Sequence, residues 1–354
     1  MRDVLAEWQP VVDDAIAELL PRDVDEAYLD EWFGPASHRY DPEAIQRALS
    51  DPVWDLLDRG GKRWRAVVCL LLLDGFGADP HEHLAYACIP EVLHNGTIIV
   101  DDVEDEAEIR RGETALHHRY GQDVALNAGN AMYFLPLKVV GKNPAGLDSG
   151  TQLAMYEMLM DELNRTHLGQ GMDIHWHRNR EATVSEAEYL EMCACKTGCL
   201  GRIVARLPAI LTDQPDEVEH AIAKYAEEMS IAFQIGDDIL DIESTIEGNT
   251  EFGKAFGNDI REGKRTLMAI HALSEADPAE ADRLATILHA DENTREEIVD
   301  AIGILQSTDS IEYARERALE FAGSARAHLR EVPLDEERSD QLASFTEFVI
   351  DRDV

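Results

Sequence analysis

Apolar residues recur at three- and four-residue intervals along most of this chain, the spacing that gathers them on one face of an α-helix. The stretches 66–74, 84–105, 125–140, 152–175, 185–207, 218–242 and 266–274 carry that period. Period-two alternation between hairpin turns is missing, so the pattern predicts an all-α fold. Helix punctuation agrees. Thr183-Val184-Ser185 precedes an acidic periodic stretch, and Ser185 stands three residues before Glu188, the spacing of a capping box. Residues 248–263 hold four glycines among polar side chains and read as a loop. From residue 275 on, the chain is acidic and amphipathic, which predicts helices on the outside of a bundle. No linker, low-complexity tract or repeat divides it. The expectation is one domain, 1–354, with a motif-bearing core at about 55–270 and outer helices at about 275–354.

Composition changes the picture in one respect. Hydrophobic residues make up 45%, enough for a globular core, but 71 acidic residues stand against 32 basic ones, a net charge of −39. That excludes nucleic acid and an anionic membrane surface as partners, since both attract basic proteins. It suits a surface adapted to molar salt, where counter-ions screen self-repulsion. Only seven of the basic residues are lysines, and four of these (Lys62, Lys196, Lys254, Lys264) fall in the motifs below. No apolar run reaches the 18 or so residues of a membrane span, and the N-terminus does not read as a signal peptide. The five cysteines suggest no disulfide framework. Cys193, Cys195 and Cys199 lack the CxxC spacing or neighbouring His of a zinc site. A reducing cytoplasm is expected.

The chemistry is carried by two Asp-Asp-x-x-Asp clusters, Asp101, Asp102 and Asp105, then Asp237, Asp238 and Asp241. Helix residues four apart are neighbours, so each cluster offers a carboxylate pair on one face. Two such faces turned toward each other would hold several Mg²⁺ ions, which favour carboxylate and phosphate oxygens and so imply a diphosphate ligand. His94 and Thr97 lie on the Asp101 stripe, Gly96 is beside them, and Arg110 and Arg111 follow as guanidiniums suited to a diphosphate. One cluster alone favours a solvated acidic face with compensating arginines; the second copy reverses that in favour of metal. Gln234, one turn before Asp238, either points into the same cavity or is an ordinary interior amide. Gly60-Gly61-Lys62-Arg63-Trp64-Arg65 either converges Lys62 and Arg65 on one anion or is a helix start with a basic patch. Two lookalikes fail. Gly248-x-x-x-x-Gly253-Lys254 has Ala255 where a P-loop has Ser or Thr, and it follows a helix. Glu91-x-x-His94 and Glu217-x-x-His220 lack the partner glutamates of a di-iron site.

GGKRWR, EVLHNGTIIVDDVEDEAEIRRGETALHH, LGQGMDIHW, CKTG, FQIGDDILD and GKAFGNDIREGK, spanning Gly60 to about Lys264, are jointly specific. They resemble the trans-isoprenyl diphosphate synthases, the polyprenyl synthetase family, and most closely its geranylgeranyl diphosphate synthases. With this acidity, a haloarchaeal member is expected. Ala66 departs from the proline common at that position. The resemblance implies the isoprenoid synthase fold, a helical bundle around a large central cavity, and a homodimer. It implies a Mg²⁺-dependent prenyltransferase joining isopentenyl diphosphate to dimethylallyl, geranyl or farnesyl diphosphate.

Its roles transfer by position. Asp101, Asp105 and Asp237 would be the main ligands of three Mg²⁺ ions, supported by Asp102, Asp238 and Asp241. Arg110, Lys196 and Lys254 would grip the allylic diphosphate, with Lys264 close by. Lys62, Arg65, His94 and Arg111 would hold isopentenyl diphosphate, and Thr197 and Gln234 would face the developing cation. Small Gly96 and Thr97 would leave the product cavity open beneath Asp101. Tyr133, Phe134 and His167 would then either close its floor or simply pack the core. The expected product is C20. The alternatives are a C25 product, a head-to-head synthase or terpene cyclase with little use for GGKRWR, and a non-catalytic subunit, in which aspartates would be lost.

Overall fold

The computed structural model of the chain describes residues 2–179, 184–247, 256–290 and 292–350. Helices dominate these residues, as the periodicity predicts, and they fall into two compact units: Met1–Glu157 with Ile210–Thr212, and Met158–Ala209 with Asp213–Val354.

The first unit begins with α1 (Arg2–Leu19), whose Val12 and Ile16 are buried. It continues through α2 (Glu26–Phe33), the single turn α3 (Pro42–Ile45) and α4 (Asp51–Asp58). Helix α5 (Trp64–Gly75) is buried from Arg65 through Leu73, the all-round apolar pattern of a central helix. One helix was expected over 84–105. Instead α6 (Leu84–Ala87) stops at Cys88, and α7 (Ile89–Glu104) restarts with Pro90 in its first turn, where a missing N–H is harmless. A two-residue strand pair, β1 (Ile109–Arg110) and β2 (Glu113–Thr114), follows, which the periodicity did not predict. Arg111 and Gly112 between the strands have φ of 53° and 77°, the paired left-handed residues of a tight hairpin turn. Next come α8 (Leu116–Tyr120) and α9 (Gln122–Lys142). Helices α7 and α9 approach closely at Gly96 and Gly129. A Cβ on Gly96 would stand 2.8 Å from Met132 Cβ, and one on Gly129 would stand 2.9 Å from Val100 Cγ2.

Helix α10 (Ser149–Asn179) runs from the first unit into the second. The stretch 185–207 forms two helices, α11 (Glu186–Lys196), with the expected Ser185–Glu188 capping box, and α12 (Gly198–Leu211). The break falls at Thr197-Gly198, a β-branched residue and a glycine, both poor helix formers. Helix α13 (Asp216–Glu247) opens with Asp216, Glu217 and Glu219, favourable charges at a positive helix end. The single turn α14 (Asn258–Arg261) lies in the glycine-rich stretch expected to be loop, of which 248–255 fall outside the described residues. Then come α15 (Leu267–Glu275), α16 (Pro278–Leu288), α17 (Arg295–Ser307), α18 (Ser310–Leu329) and α19 (Glu336–Ile350). Helix α18 buries Ala314, Ala318, Ala322 and Ala325, a stripe small enough to let it lie close along α13. Among the described residues no helix is long and apolar enough to cross a membrane.

Candidate active site

Helix α7 ends in its aspartates: Asp102 is within the last turn and Asp105 caps the helix, its N–H donating to the Asp101 carbonyl at 2.8 Å. Three carboxylates at the negative end of a helix repel both one another and the helix dipole. Such a cluster calls for cations. Asp102 has one already. It is buried, and Arg110 Nε and Nη2 lie 2.7 and 2.5 Å from its Oδ1. Burial pushes the Asp102 carboxyl up against the opposing pull of Arg110. Burial disfavours the Arg110 charge too, but Asp102, then Asp101 and Asp105, more than restore it. Asp102, expected to support a metal, therefore orients Arg110. Asp101 and Asp105 are the half-buried members of the trio.

The Gly60–Arg65 loop builds a cationic site in the same unit. Gly60 and Gly61 have φ of 95° and 145°, and Arg63 is left-handed at 50°. Lys62 is exposed, and the buried Arg65 donates its backbone N–H to Glu91 Oε1 at 3.0 Å. Arg111 reaches across from the hairpin. Its Nη1 donates to the Leu56 and Gly60 carbonyls at 3.0 and 2.6 Å, and its Nη2 to Asn95 Oδ1 at 3.1 Å. Burial, then the nearby Arg63, lowers the Arg111 guanidinium to about 10. Burial followed by Arg65, Arg111, Arg110 and Arg63 holds the His94 imidazole well below its ordinary value. Perturbed groups of this kind mark a candidate functional site. Here the Gly60–Arg65 loop, His94 and the arginines of the hairpin, far apart in sequence, lie near one another.

The second cluster lies mid-helix on α13. Thr197 Oγ1 donates to Gln234 Oε1 at 2.9 Å, Gln234 Nε2 to Asp238 Oδ1 at 3.0 Å, and the Tyr189 hydroxyl to Asp238 Oδ2 at 2.8 Å. Gln234 is thus tied to both Thr197 and the acidic cluster. Burial, then Asp259, pushes the Asp238 carboxyl up to about 7. Asp241 is buried, and its Oδ2 accepts the Asp259 backbone N–H at 3.2 Å. Lys196 Nζ is 2.6 Å from Asp173, and Lys264 Nζ is 2.6 Å from Glu262 and 3.5 Å from Asp259. Lys254 lies outside the described residues. Asp259, Asp173, Tyr189 and Asn95 were missed by sequence reasoning, and Glu91 was weighed only as part of a di-iron lookalike. Helical spacing could have found two of them, since Asn95 is one turn past Glu91 and Tyr189 two turns before Lys196.

The expected product-length residues scatter. Gly96 faces Met132 and the Gly129 carbonyl, not open space. The Thr97 hydroxyl donates to the His94 carbonyl at 2.8 Å. Tyr133 is buried at 9% exposure, whereas Phe134 is 68% exposed. Consecutive helical residues point about 100° apart, so the two cannot face one floor from the same chain. His167 on α10 is exposed. The three neighbouring cysteines 193, 195 and 199 are buried and unbridged.

A family model described as polyprenyl synthetase matches residues 46–305. The chain belongs to the polyprenyl synthetase family. Geranylgeranyl diphosphate synthase of Saccharolobus solfataricus is 31% identical, covering 85% of this chain and 90% of that protein. Geranylfarnesyl diphosphate synthase of Natronomonas pharaonis is 29% identical and covers 99% and 98%. Among solved structures, geranylgeranyl pyrophosphate synthetase of Pyrococcus horikoshii matches with a TM-score of 0.84 at 27% identity, covering 99% and 98%. The resemblance read from the motifs is borne out, and with it the all-α fold.

The donor set of this polyprenyl synthetase fits a hard divalent cation in a particular way. Among the described residues no group of three or more His, Cys, Asp or Glu side chains converges on a point that could hold a metal. Mg²⁺ does not need such a cage, because it is usually bound through one or two carboxylates with the rest supplied by water and substrate phosphate. Asp101 with Asp105, and Asp237, are carboxylates of that kind.

Proposed function

We propose that this polyprenyl synthetase condenses isopentenyl diphosphate with an allylic diphosphate to give geranylgeranyl diphosphate, C20, and diphosphate. The observation that supports this is the presence, within the first unit, of an aspartate cluster and a separate group of cations, in which burial and then neighbouring guanidiniums lower both His94 and Arg111. A carboxylate cluster binds a diphosphate only through metal. A cluster of guanidiniums binds one directly. An enzyme with both has two diphosphate substrates, which favours an elongase over a cyclase.

Isopentenyl diphosphate is assigned to Lys62, Arg65, His94 and Arg111, and the allylic diphosphate to Arg110, Lys196 and Lys254, with Lys264 nearby. Asp101, Asp105 and Asp237, with Asp102, Asp238 and Asp241 supporting them, would hold magnesium, which when bound would supply the charge neutralisation that makes the allylic diphosphate a leaving group. Arg110, held in place by Asp102, stabilises the negative charge as the allylic C–O bond breaks. The isopentenyl double bond attacks the resulting cation, a new C–C bond forms, and a proton leaves to the released diphosphate. Thr197 and Gln234 present oxygen dipoles to the cation, and apolar helix faces keep water from it. Exposed Phe134 on α9 and Leu153, Met160 and Leu168 on α10 are apolar positions suited to a homodimer contact. The net charge of −39 supports a halophilic, cytoplasmic enzyme.

The test is incubation in molar KCl with MgCl₂, labelled isopentenyl diphosphate and each allylic primer. A C20 product is expected. Absence of any prenyl product with all primers refutes the assignment. A C25 product establishes the second reading, which the relative from Natronomonas pharaonis favours.

A further inference from the structure

The residues that face the cationic site do not account for how its loop is held. Arg63 is a non-glycine residue at φ 50°, a conformation that persists only where surroundings impose it. Its guanidinium is buried and turned away from the loop's exposed Lys62: Nε lies 2.6 Å from Asp13 Oδ1, and Nη2 donates to the Leu57 carbonyl at 3.0 Å. Nη1 packs on Gly61, where any Cβ would come within 2.8 Å of it. One turn earlier on the same face of α1, Gln9 Nε2 donates to the Gly61 carbonyl at 3.2 Å. Arg111 takes the Gly60 carbonyl. Three carbonyl acceptors in and just before the loop (Leu57, Gly60 and Gly61) are thus occupied by side-chain donors. Two of those three donors depend on α1, either directly through Gln9 or through Asp13, which orients Arg63. Helix α1 is itself anchored by buried Val12 and Ile16, and it lies outside the 46–305 span of the family model.

We infer that Asp13 and Gln9 are positioning residues for isopentenyl diphosphate: they fix the Gly60–Arg65 loop from behind so that Lys62 and Arg65 meet the diphosphate. This rests on the assignment of that substrate to the loop, and the experiment separates the two. Steady-state kinetics in molar KCl at saturating MgCl₂ would compare Asp13→Ala, Asp13→Glu, Gln9→Leu and Lys62→Ala, with calorimetric binding of isopentenyl diphosphate alone as a second readout. Asp13→Ala should raise the KM for isopentenyl diphosphate about tenfold, the loss of a charge-assisted bond acting at one remove. The kcat and the KM for the allylic substrate should stay within about twofold. Asp13→Glu should recover most of the loss, and Gln9→Leu should raise the same KM about threefold. If Lys62→Ala raises that KM while Asp13→Ala and Gln9→Leu do not, the inference is overturned and the substrate assignment stands. If Asp13→Ala depresses both substrates' kinetics equally and Asp13→Glu does not rescue it, α1 is general scaffolding and the inference fails. If Lys62→Ala also leaves isopentenyl diphosphate binding intact, both statements fall.

Discussion

Gly96→Ala decides between two meanings of a missing side chain. If Gly96 opened the product cavity, a methyl group there would shorten the product and leave the fold alone. The structure predicts the reverse. The added Cβ would meet Met132 Cβ at 2.8 Å and the Gly129 carbonyl oxygen at 3.0 Å. Neither is the free end of a flexible chain, and Met132 is 2% exposed, so α7 and α9 must move apart. Overpacking of this kind costs about 1–3 kcal/mol. Replacing a mid-helix glycine by alanine returns up to about 1 kcal/mol through helix propensity. The net expectation is a loss of roughly 1–2 kcal/mol, about a 5- to 30-fold shift in the folding equilibrium. Urea titration in molar KCl would measure it as a lower midpoint at unchanged slope, alongside product analysis by radio-chromatography. Unchanged or increased stability would refute the packing argument, and a shorter product at full stability would restore the cavity reading.

Three further expectations follow from the site. Asp102→Ala leaves the largely buried Arg110 guanidinium without its partner and should destabilise the protein by about 3 kcal/mol, the lower end for a broken buried pair because Arg110 keeps some solvent contact; a midpoint shift under about 1 kcal/mol would count against the pairing. His94 has a folded value well below the ordinary 6.5, so below that pH the unfolded chain binds more protons and stability is lost as pH falls. His94→Gln should flatten that fall between pH 6.5 and 5, and isopentenyl diphosphate binding, by offsetting the surrounding cations, should be accompanied by proton uptake measurable by calorimetry in buffers of different ionisation heat. With a net charge of −39, lowering KCl from molar to about 0.1 M lengthens screening from about 3 to 10 Å and should lower the Tm, whereas an unchanged Tm in dilute buffer would remove the case for halophily.

What could be read from sequence was what depends on neighbours in the chain. Helical period located the elements, and Ser185 with Glu188 marked a real helix start three residues apart. The Asp-Asp-x-x-Asp spacing put neighbouring carboxylates on α7 and α13, because helix geometry alone brings such residues together. One failure was local, and the others have the opposite character. Pro90 broke a predicted continuous helix because the apolar period runs through Cys88 undisturbed. Asp13 and Arg63 are paired across 50 positions, and Gly96 meets Met132 from another helix. A glycine beside an acidic motif fits an open cavity and a tight helix crossing equally well, and only the partner helix distinguishes them.

The two aspartate clusters, which differ in sequence context, share a division of labour that spacing could not reveal. In each, the middle aspartate is buried and already bonded within the protein: Asp102 to Arg110, Asp238 to Tyr189 and Gln234. The cause is rotational. Advancing one residue turns the side chain by about 100°, and in each motif the half-buried first carboxylate is followed by a buried one. A carboxylate placed there must be paired or neutralised. The first cluster pairs Asp102 with a guanidinium; in the second, burial and then Asp259 push Asp238 up to about 7 against the opposing pull of the Tyr189 hydroxyl and Gln234 amide donors. The middle aspartate then serves as the anchor of a second residue, Arg110 in one case and Gln234 in the other. Each motif thus combines a half-buried first carboxylate with a buried second one already bonded to a side chain of its own.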